Sequence, residues 1–329
     1  MLILTESELR GVLTIRDVID AVESGFLALA RGEAVIPDRL HINVADHNGT
    51  VLEMPAYARP REGGDTSALG TKIVSVFEGN ASRGLPTVQA VYLLLDSETG
   101  APLALLEGRF ITAIRTAATS AVATKFMASP AAKTLAVFGA GVQARFHIEA
   151  MIEVAEIARV MIASRSLQNA NALAGQVRLD HRIPCDVVST VQAAASSNLI
   201  CTCTSSPEPL FDGRLLVGGT HINAVGAFTP STRELDTETI RRARVIIDAE
   251  SAAGREAGEI IVPLSEGAID QAHVKGSLAD VVSGRMPGRE SDDDITVFKS
   301  CGLAIEDLVT ARLAYSRATA EELGTQVQL

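Results

Sequence analysis

The spacing of apolar residues changes along the chain, and each change predicts a different kind of element. Near the N-terminus, behind a capping box at Thr5–Glu8, helical spacing predicts a helix whose apolar positions are Ile15, Val18, Ile19, Val22 and Phe26. From about Leu40 to Asp96, strand-like runs alternate with turn signals; the runs are HINV, TVLEMPAY, LGTKIVSVF and TVQAVYLLLD. An Ala-rich helical segment follows, from about Arg109 to Met127.

After residue 128, strand-like runs alternate with helical segments. The runs are LAVFG, RVMIAS, CDVVS, LICTC, HINAVG and RVIID. This alternation predicts an α/β fold with a doubly wound parallel sheet of the Rossmann type. The last helical segment, about Gly302 to Leu323, is expected to return to the first domain, because the nucleotide domain is already complete before it. We therefore predict a discontinuous α/β domain of residues 1–128 and 303–329, and a Rossmann domain of residues 129–302.

A glycine-rich turn lies at the start of the predicted Rossmann domain. Gly139, Gly141 and Ala144 form the pattern G-x-G-x-x-A, between an apolar strand that ends at Phe138 and a helical pattern that begins at Val142. The glycines permit a tight turn and close approach to a pyrophosphate, and the helix end supplies free N–H groups and a favourable dipole. The segment predicts a dinucleotide site; the alternative is a turn of this kind that binds no ligand.

The residues after the second strand of this domain bear on which dinucleotide binds. NAD sites usually have Asp or Glu there, which bonds the ribose 2′-OH. This chain has Ser164, Arg165 and Ser166 instead, and an Arg flanked by hydroxyls suits a 2′-phosphate. We therefore predict NADP(H) in preference to NAD(H), which remains the other candidate. The alternative for Arg165 is that it only points into solvent.

Three cations occupy positions where a charge is costly unless it is paired. Lys72 lies inside the strand-like run TKIVSVF, Arg115 lies in a helical segment of small and apolar residues, and Arg39 begins the predicted β region. Together they could hold one substrate carboxylate, which an Arg binds with two hydrogen bonds. The alternatives are that Lys72 lies on an edge strand and that Arg115 pairs with Glu107 or another acid.

Composition and charge argue against several classes of function. The chain has 329 residues and a formal net charge of −11, which disfavours nucleic acid or an anionic membrane as a partner. No apolar run approaches the ~20 residues of a membrane span, and the N-terminus lacks the pattern of a secretory signal. The four cysteines have no metal-ligand spacing, so we expect free thiols, no metal site and a cytoplasmic protein.

Over nearly its whole length the chain resembles the ornithine cyclodeaminase/mu-crystallin family. The matching segments are, in chain order, IPDR, LEMPAY, TKIVS, RGLPTVQA, ITAIRTAATSAVATKF, FGAGVQA, GTHINAVGA, REAGEI and GRESDDDITVFKSCGLAIEDL. The resemblance implies a homodimer whose subunits each have a Rossmann domain and a dimerisation and substrate domain, with the active site in the cleft between them. It also implies hydride exchange between a nicotinamide and the α-carbon of an amino or imino acid.

The resemblance also implies roles for individual positions. Those that match Arg39, Lys72 and Arg115 hold the substrate carboxylate, and Lys72 also polarises or protonates the imine. Thr87 and Ser300 match residues near the nicotinamide. The other positions expected to contact the cofactor, from the family match or from the fingerprint and the turn after it, are Gly139, Ala140, Gly141, Val142, Gln143, Ala144, Ser164, Arg165, Val225, Gly226 and Ala227.

One departure from the family pattern affects the choice of reaction. After NAVGG, ornithine cyclodeaminases have an Asp that is assigned as the base in cyclisation and ammonia loss. This chain reads NAVGA and then Phe228, which cannot accept a proton but offers an apolar wall to a flat ring. The alternative is that Glu259 or one of the acids in Asp292–Asp294 replaces the missing base.

These points favour an NADPH-dependent ketimine reductase. Its expected substrate is 1-pyrroline-2-carboxylate or the six-membered 1-piperideine-2-carboxylate, and its expected product is L-proline or L-pipecolate, with Phe228 beside the substrate ring. The rival reactions are those of ornithine cyclodeaminase and alanine dehydrogenase. The rival from another class is a non-catalytic protein that binds NADPH or another ligand, as a crystallin does.

Overall fold

The computed structural model describes residues 1–59, 67–249 and 254–328. The chain divides into two compact units. Met1–Arg115 and Leu303–Leu329 form the first unit, and Thr116–Gly302 forms the second. The first unit is therefore built from both ends of the chain. That the first unit binds the substrate and the second binds a nucleotide stays a prediction.

The elements are numbered in chain order. The strands are β1 (Leu2–Leu4), β2 (Ala34–Val35), β3 (Leu40–Val44), β4 (Gly49–Ala58), β5 (Ala68–Phe77), β6 (Val88–Leu95), β7 (Pro102–Glu107), β8 (Thr134–Phe138), β9 (Arg159–Ala163), β10 (Cys185–Val187), β11 (Leu199–Thr202), β12 (His221–Ala224), β13 (Ala243–Ile247), β14 (Val274–Ser277), β15 (Ile295–Lys299) and β16 (Thr325–Gln326). The helices are α1 (Glu6–Val12), α2 (Ile15–Ala30), α3 (Gly108–Met127), α4 (Val142–Val154), α5 (Leu167–His181), α6 (Thr190–Ala195), α7 (Thr237–Arg242), α8 (Gly258–Ser265), α9 (Leu278–Val282) and α10 (Ala304–Ala320).

A mixed sheet organises the first unit. Its strand order is β16-β1-β7-β6-β5-β4-β2, and β3 also pairs with β4. The central strands β4, β5 and β6 are antiparallel, so that Lys72 lies between Met54 on one side and Tyr92 on the other. β5 is therefore an interior strand, and the interpretation of Lys72 as an edge-strand lysine is wrong.

Two helices pack beside this sheet. The apolar face predicted for α2 is largely buried, at Val18, Ile19, Val22 and Phe26. On the same helix, a Cβ at Gly25 would lie 3.1 Å from Ile305 of α10, so the two helices are in close contact. The C-terminal helix α10 also packs on β4, β5 and β6. It therefore covers the central strands of the sheet.

The second unit contains a parallel sheet of order β10-β9-β8-β11-β12-β15-β13-β14. Its central strands are buried on both faces, as expected for a parallel sheet covered by helices; every residue of β11 and β12 is buried. Within this sheet, the first strand in sequence is the interior strand β8. The chain then adds β9 and β10 on one side of β8, and returns to form β11 on the other side. That return creates a topological switch point, and the predicted doubly wound α/β sheet is confirmed.

Within the parts of the chain that the structure describes, no helix is both long enough and apolar enough to cross a bilayer.

Candidate functional site

Loops that contain most of the predicted cofactor residues lie at one edge of the parallel sheet. Parallel strands end at the same edge, and here backbone hydrogen bonds continue past the strand ends from one loop to the next. The N–H of Gly139 bonds the Ala163 carbonyl at 2.8 Å, and the N–H of Cys203 bonds the Phe138 carbonyl at 2.8 Å. On the other side of the switch point, the N–H of Ser300 bonds the carbonyl that ends β12 at 3.1 Å.

Gly139 is required by the local backbone. Its φ is +107°, in the region that favours glycine, and a Cβ there would lie 2.6 Å from the Cys203 carbonyl oxygen. The turn after β8 is therefore packed directly against the loop after β11. This close approach fixes the start of α4 at the switch point.

Gly141 has a different reason for being glycine. It is the N-cap of α4 with φ −95°, it makes no side-chain capping bond, and no atom lies within 4 Å of a Cβ built on it. The first N–H groups of α4 thus face open space at the positive end of the helix. Beside them, Val142 is exposed and Ala144 is fully buried.

An unpartnered acceptor lies in the same turn. Gln143 Oε1 is buried and accepts no hydrogen bond from the described residues, and the neighbouring Ala140 is half-buried. An open glycine, an uncapped helix end and an unpartnered buried acceptor together fit a pyrophosphate and its ribose at this edge. The residues present therefore suit a dinucleotide.

The turn after β9 contains Ser164 and Arg165. Ser164 Oγ accepts a hydrogen bond from the N–H of Ser166 at 3.3 Å, and Ser166 caps α5 by accepting from the Asn169 N–H at 3.2 Å. Arg165 is exposed and makes no hydrogen bond or ion pair with the described residues. Its guanidinium is thus available to a ligand, and this placement also agrees with the alternative that it points into solvent.

The segment after β12 contains the other predicted contacts. Val225 and Gly226 are half-buried, Ala227 is buried, and the Phe228 side chain is 45% exposed. Phe228 is therefore partly exposed at the surface of the second unit, although Phe is among the residues most often fully buried.

Ser300, at the end of β15, is held by an acid that sequence reasoning missed. Its Oγ donates to Asp248 Oδ2 at 3.3 Å, and the same carboxylate accepts from the N–H of Gly302 at 2.6 Å. Asp248 is buried and follows β13. It fixes the turn at Ser300 through backbone bonds that no sequence spacing indicates.

Lys72 and Arg115 meet in the first unit through one shared carboxylate. Lys72 Nζ lies 2.9 Å from Asp307 Oδ1 and 2.8 Å from Oδ2. Arg115 Nε donates to the same Oδ1 at 3.0 Å, and its Nη1 donates to Glu306 Oε2 at 2.6 Å. All four side chains are buried. The sequence alternative that Arg115 pairs with an acid is therefore correct, and the acids lie on α10.

The charges of this cluster balance, with two cations and two acids. Burial and the nearby charge of Arg115 lower the pKa of Lys72 to about 8, although Asp307 opposes this. Burial by itself would lower the pKa of Arg115, but Asp307 and Glu306 raise it above its ordinary value. Arg115 is thus a fixed cation, while Lys72 holds a proton that it can release near neutral pH.

Arg39 and Thr87 lie in loops of the first unit. Arg39 is half-buried and comes directly before β3, which pairs with β4; β4 in turn pairs with β5, the strand of Lys72. The Thr87 carbonyl accepts a hydrogen bond from the N–H of Phe77 at 2.9 Å, just before β6.

Comparison with known proteins identifies a family and a relative that match the whole chain or nearly all of it. The model of the ornithine cyclodeaminase/mu-crystallin family matches residues 1–322. A Delta(1)-pyrroline-2-carboxylate reductase of Bacillus cereus is 35% identical over the full length of both chains.

Two solved structures have a similar fold. The Delta(1)-pyrroline-2-carboxylate reductase of Thermococcus litoralis, in complex with NADH and L-proline, is 42% identical with a TM-score of 0.95, covering 99% of this chain and 100% of that one. An archaeal alanine dehydrogenase dimer with bound NAD is 32% identical with a TM-score of 0.94, covering 100% of this chain and 99% of that one.

The shared role of Asp307 generates a stability prediction. In Asp307→Ala, Lys72 and Arg115 would stay buried without their common partner, so the free energy of unfolding should fall by about 3–5 kcal/mol. Urea denaturation measures this fall. The matched control is Glu6→Ala, since Glu6 forms an exposed pair with Arg10 at 2.8 Å and its loss should cost less than about 1 kcal/mol. Equal effects of the two changes would contradict the assignment.

Gly139 and Gly141 give a second prediction: a side chain at the first should lower stability, and a side chain at the second should weaken nucleotide binding. Gly139→Ala should destabilise the protein by about 1–3 kcal/mol, because the backbone conformation and the nearby carbonyl both oppose a side chain. Gly141→Ala should leave stability nearly unchanged but weaken nucleotide binding, because its methyl group would fill the open approach to the helix end. Urea denaturation and a fluorescence titration with NADPH measure the two effects. Unchanged NADPH affinity in Gly141→Ala would contradict a pyrophosphate at this turn.

Proposed function

The chain belongs to the ornithine cyclodeaminase/mu-crystallin family, and we propose that it is a reductase that transfers a hydride from NADPH to a cyclic ketimine carboxylate. The observation that carries the choice of reaction is Phe228, which follows β12 where ornithine cyclodeaminases have their Asp. The Bacillus and Thermococcus relatives named above support the same choice. The first candidate substrate is 1-pyrroline-2-carboxylate, reduced to L-proline, and the second is 1-piperideine-2-carboxylate, reduced to L-pipecolate.

The first unit would bind the substrate carboxylate. Lys72 and Arg115 form a buried pair of cations, and Arg39 comes directly before β3 of the same sheet. Asp307 and Glu306 keep the two buried cations in place before substrate arrives, since a buried cation without a partner of opposite charge is strongly destabilising. A carboxylate held by these groups has a fixed orientation, and orientation of this kind removes a large part of a reaction barrier.

Lys72 would also supply the proton that the imine nitrogen needs. A pKa of about 8 keeps the ammonium mostly protonated at neutral pH and lets it transfer the proton readily. Arg115 keeps its charge throughout, so the carboxylate stays bound when Lys72 becomes neutral. A protonated C=N carbon is the better hydride acceptor.

The second unit would bind the cofactor. The uncapped start of α4 would hold the pyrophosphate, and the loops after β11, β12 and β15 would hold the nicotinamide half, with Val225–Ala227 and Ser300 beside it. The bound nicotinamide supplies the hydride that is transferred to the imine carbon. Phe228 would provide an apolar surface, which excludes water better than a carboxylate.

We also propose that the cofactor is NADPH rather than NADH. The support is the turn after β9, which has no acid to bond a ribose 2′-OH and has an exposed Arg165 beside Ser164. The solved relatives described above contain NADH and NAD, so a nicotinamide cofactor is common to the group. The 2′-phosphate preference rests on this chain's own residues.

A homodimer is the proposed assembly. On the side of β5 opposite Lys72, four apolar side chains of β3, β5 and β6 remain 41% to 53% exposed, namely Leu40, Ile42, Ile73 and Val91. Ile73 pairs directly with Val91 across the strands, and an exposed apolar face of this kind suits another protein surface. The archaeal alanine dehydrogenase is described as a dimer. Light scattering that gave the mass of a single chain would contradict the proposal.

A cytoplasmic location is proposed on the state of the cysteines. Cys185 and Cys201 are buried free thiols, and burial raises their pKa to about 11 and about 12. Buried thiols of this kind suit a reducing compartment.

The rival reactions find less support. Two of the acids suggested as replacement bases are already engaged: Glu259 pairs with Lys299 at 3.2 Å, and Asp294 accepts a hydrogen bond from the Glu290 N–H at 2.8 Å. To serve as the base for cyclisation and ammonia loss, Glu259 or Asp294 would have to leave these contacts. Reductive amination of a 2-oxo acid is the second candidate reaction, because the archaeal alanine dehydrogenase has a similar structure. A non-catalytic binding protein is the candidate from another class, and the lowered pKa of the buried Lys72 favours a catalytic protein over it.

The experiment that tests the function measures NADPH oxidation with 1-pyrroline-2-carboxylate, beside 1-piperideine-2-carboxylate, pyruvate with ammonia, and L-ornithine with NAD. Rapid oxidation is expected with the cyclic imines, and Lys72→Met should lower kcat/KM by about 100-fold or more. Lys133→Met is the matched control, because Lys133 is an exposed lysine paired with Glu156. Formation of proline and ammonia from ornithine would overturn the proposal.

Arg165 gives the test of cofactor choice. Arg165→Ala should raise the KM for NADPH about tenfold, because one charge-assisted contact to the 2′-phosphate is lost, and should change the KM for NADH little. Arg159→Ala is the control. Arg159 is the first residue of β9, at the end of that strand far from the Arg165 turn, and it pairs with Asp186. A wild-type enzyme that prefers NADH, or an unchanged preference in Arg165→Ala, would contradict the assignment.

A further inference from the structure

A buried ionic cluster lies under two loops of the nucleotide edge, and none of the predicted site residues belongs to it. The cluster consists of Glu234, Glu259 and Lys299, and all three side chains are fully buried. Two acids and one cation in a closed core are costly unless each has strong partners. Each of the three side chains therefore needs hydrogen-bond or ion-pair partners inside the core.

One carboxylate in this cluster joins the ends of two neighbouring strands. Glu234 Oε1 accepts hydrogen bonds from the N–H and from the Oγ1 of Thr204, both at 2.7 Å, in the loop after β11. Glu234 Oε2 accepts from the Gly226 N–H at 2.7 Å, in the loop after β12, and from Thr202 Oγ1 at 2.7 Å. A single side chain thus accepts from four donors and couples the two loops.

The second loop is packed directly on this carboxylate. A Cβ at Gly226 would lie 2.6 Å from Glu234 Oε1 and 2.1 Å from the Thr204 carbonyl oxygen. Any side chain at this position would push the carboxylate and the loop apart. This close contact therefore explains why residue 226 is a glycine.

Lys299 holds the next residue of the loop from the same side. Its Nζ donates to the Ala227 carbonyl and forms an ion pair with Glu259 Oε2 at 3.2 Å. Glu259 Oε1 in turn accepts from the backbone N–H of Glu234 at 2.9 Å. Glu234 thus holds the Gly226 N–H, and Lys299 holds the Ala227 carbonyl. Glu259 links these two side chains' residues, because it pairs with Lys299 and accepts from the backbone N–H of Glu234.

The position of these loops indicates which half of the dinucleotide they serve. A doubly wound sheet binds a dinucleotide across the switch point, with the adenosine ribose at the end of the second strand, here β9. The other half of the sheet, with the loops after β11 and β12, then receives the nicotinamide. The Glu234 contacts lie entirely in this half.

We propose that Glu234 is a positioning residue that fixes the loops after β11 and β12 as a rigid support for the nicotinamide ring. The proposal rests on nucleotide binding by the second unit as proposed above. Only an ionised carboxylate can accept from all four donors, because the amide of a glutamine has one acceptor oxygen and would turn an NH₂ group towards a backbone N–H. The hydroxyls of Thr202 and Thr204 can rotate away from such a group, but the N–H groups of Gly226 and Thr204 cannot.

The test uses Glu234→Gln and two ligands, NADPH and 2′-phospho-ADP-ribose, which lacks the nicotinamide. Calorimetry gives both affinities, and the fluorescence of bound NADPH reports the surroundings of the ring. NADPH should bind about tenfold more weakly or worse, with its fluorescence shifted towards that of the free cofactor, while the affinity for 2′-phospho-ADP-ribose should be unchanged. The matched control is Glu238→Gln, because Glu238 forms an exposed pair with Arg241 at 2.9 Å.

Each other result has a definite meaning. Equal affinities of Glu234→Gln and the wild type for NADPH would overturn the proposal, and so would an equal loss for both ligands, which would show a general effect on the unit. If Glu234→Gln does not fold, Thr202→Val removes one of the four donors and should reproduce the selective loss of NADPH affinity to a smaller extent; no loss there would also overturn it. A wild-type protein that binds neither ligand would refute the proposed nucleotide site itself.

Discussion

A charge can be buried in a protein core only with a partner of opposite sign, and this constraint shapes both units. In the first unit, Asp307 lies between Lys72 and Arg115 and bonds both. The carboxylate is 235 residues away from the lysine in sequence. The C-terminal helix must therefore pack on the central strands if these cations are to exist in the core, and this requirement ties the two ends of the chain into one unit.

In the function proposed above, the same arrangement would prepare a place for an anionic substrate. Lys72 and Arg115 are held in fixed positions by acids, so a carboxylate that arrives there meets cations that are already desolvated and oriented. Such preorganisation lowers the barrier because little reorganisation remains to be done when the reaction occurs. The two cations differ, because Asp307 and Glu306 keep Arg115 charged, while burial and the charge of Arg115 lower the pKa of Lys72 to about 8.

The second unit uses buried charge for a different purpose. Its glycine turn and uncapped helix need only backbone geometry to receive a phosphate, but its loops beyond the switch point have few regular hydrogen bonds of their own. Buried acids replace those bonds: Asp248 fixes the turn at Ser300, and Glu234 fixes the loop at Gly226. Phe228 follows a loop whose backbone is already fixed, so in the proposed function a change of side chain at this point would alter the reaction without altering the fold.

The sequence by itself determined the features that depend on near neighbours along the chain. The strand–helix alternation specified the parallel sheet, the G-x-G-x-x-A turn specified the switch-point edge, and the absence of an acid after β9 raised the question of the 2′-phosphate. Short strands such as β1 and β7 were not predicted, because three to six residues carry little pattern and their pairing partners stabilise them. The tertiary structure alone identified Asp307, Glu306, Glu234 and Asp248. On the sequence these acids resemble any helix-end or loop carboxylate, and only folding shows that each is buried beside a group it must satisfy.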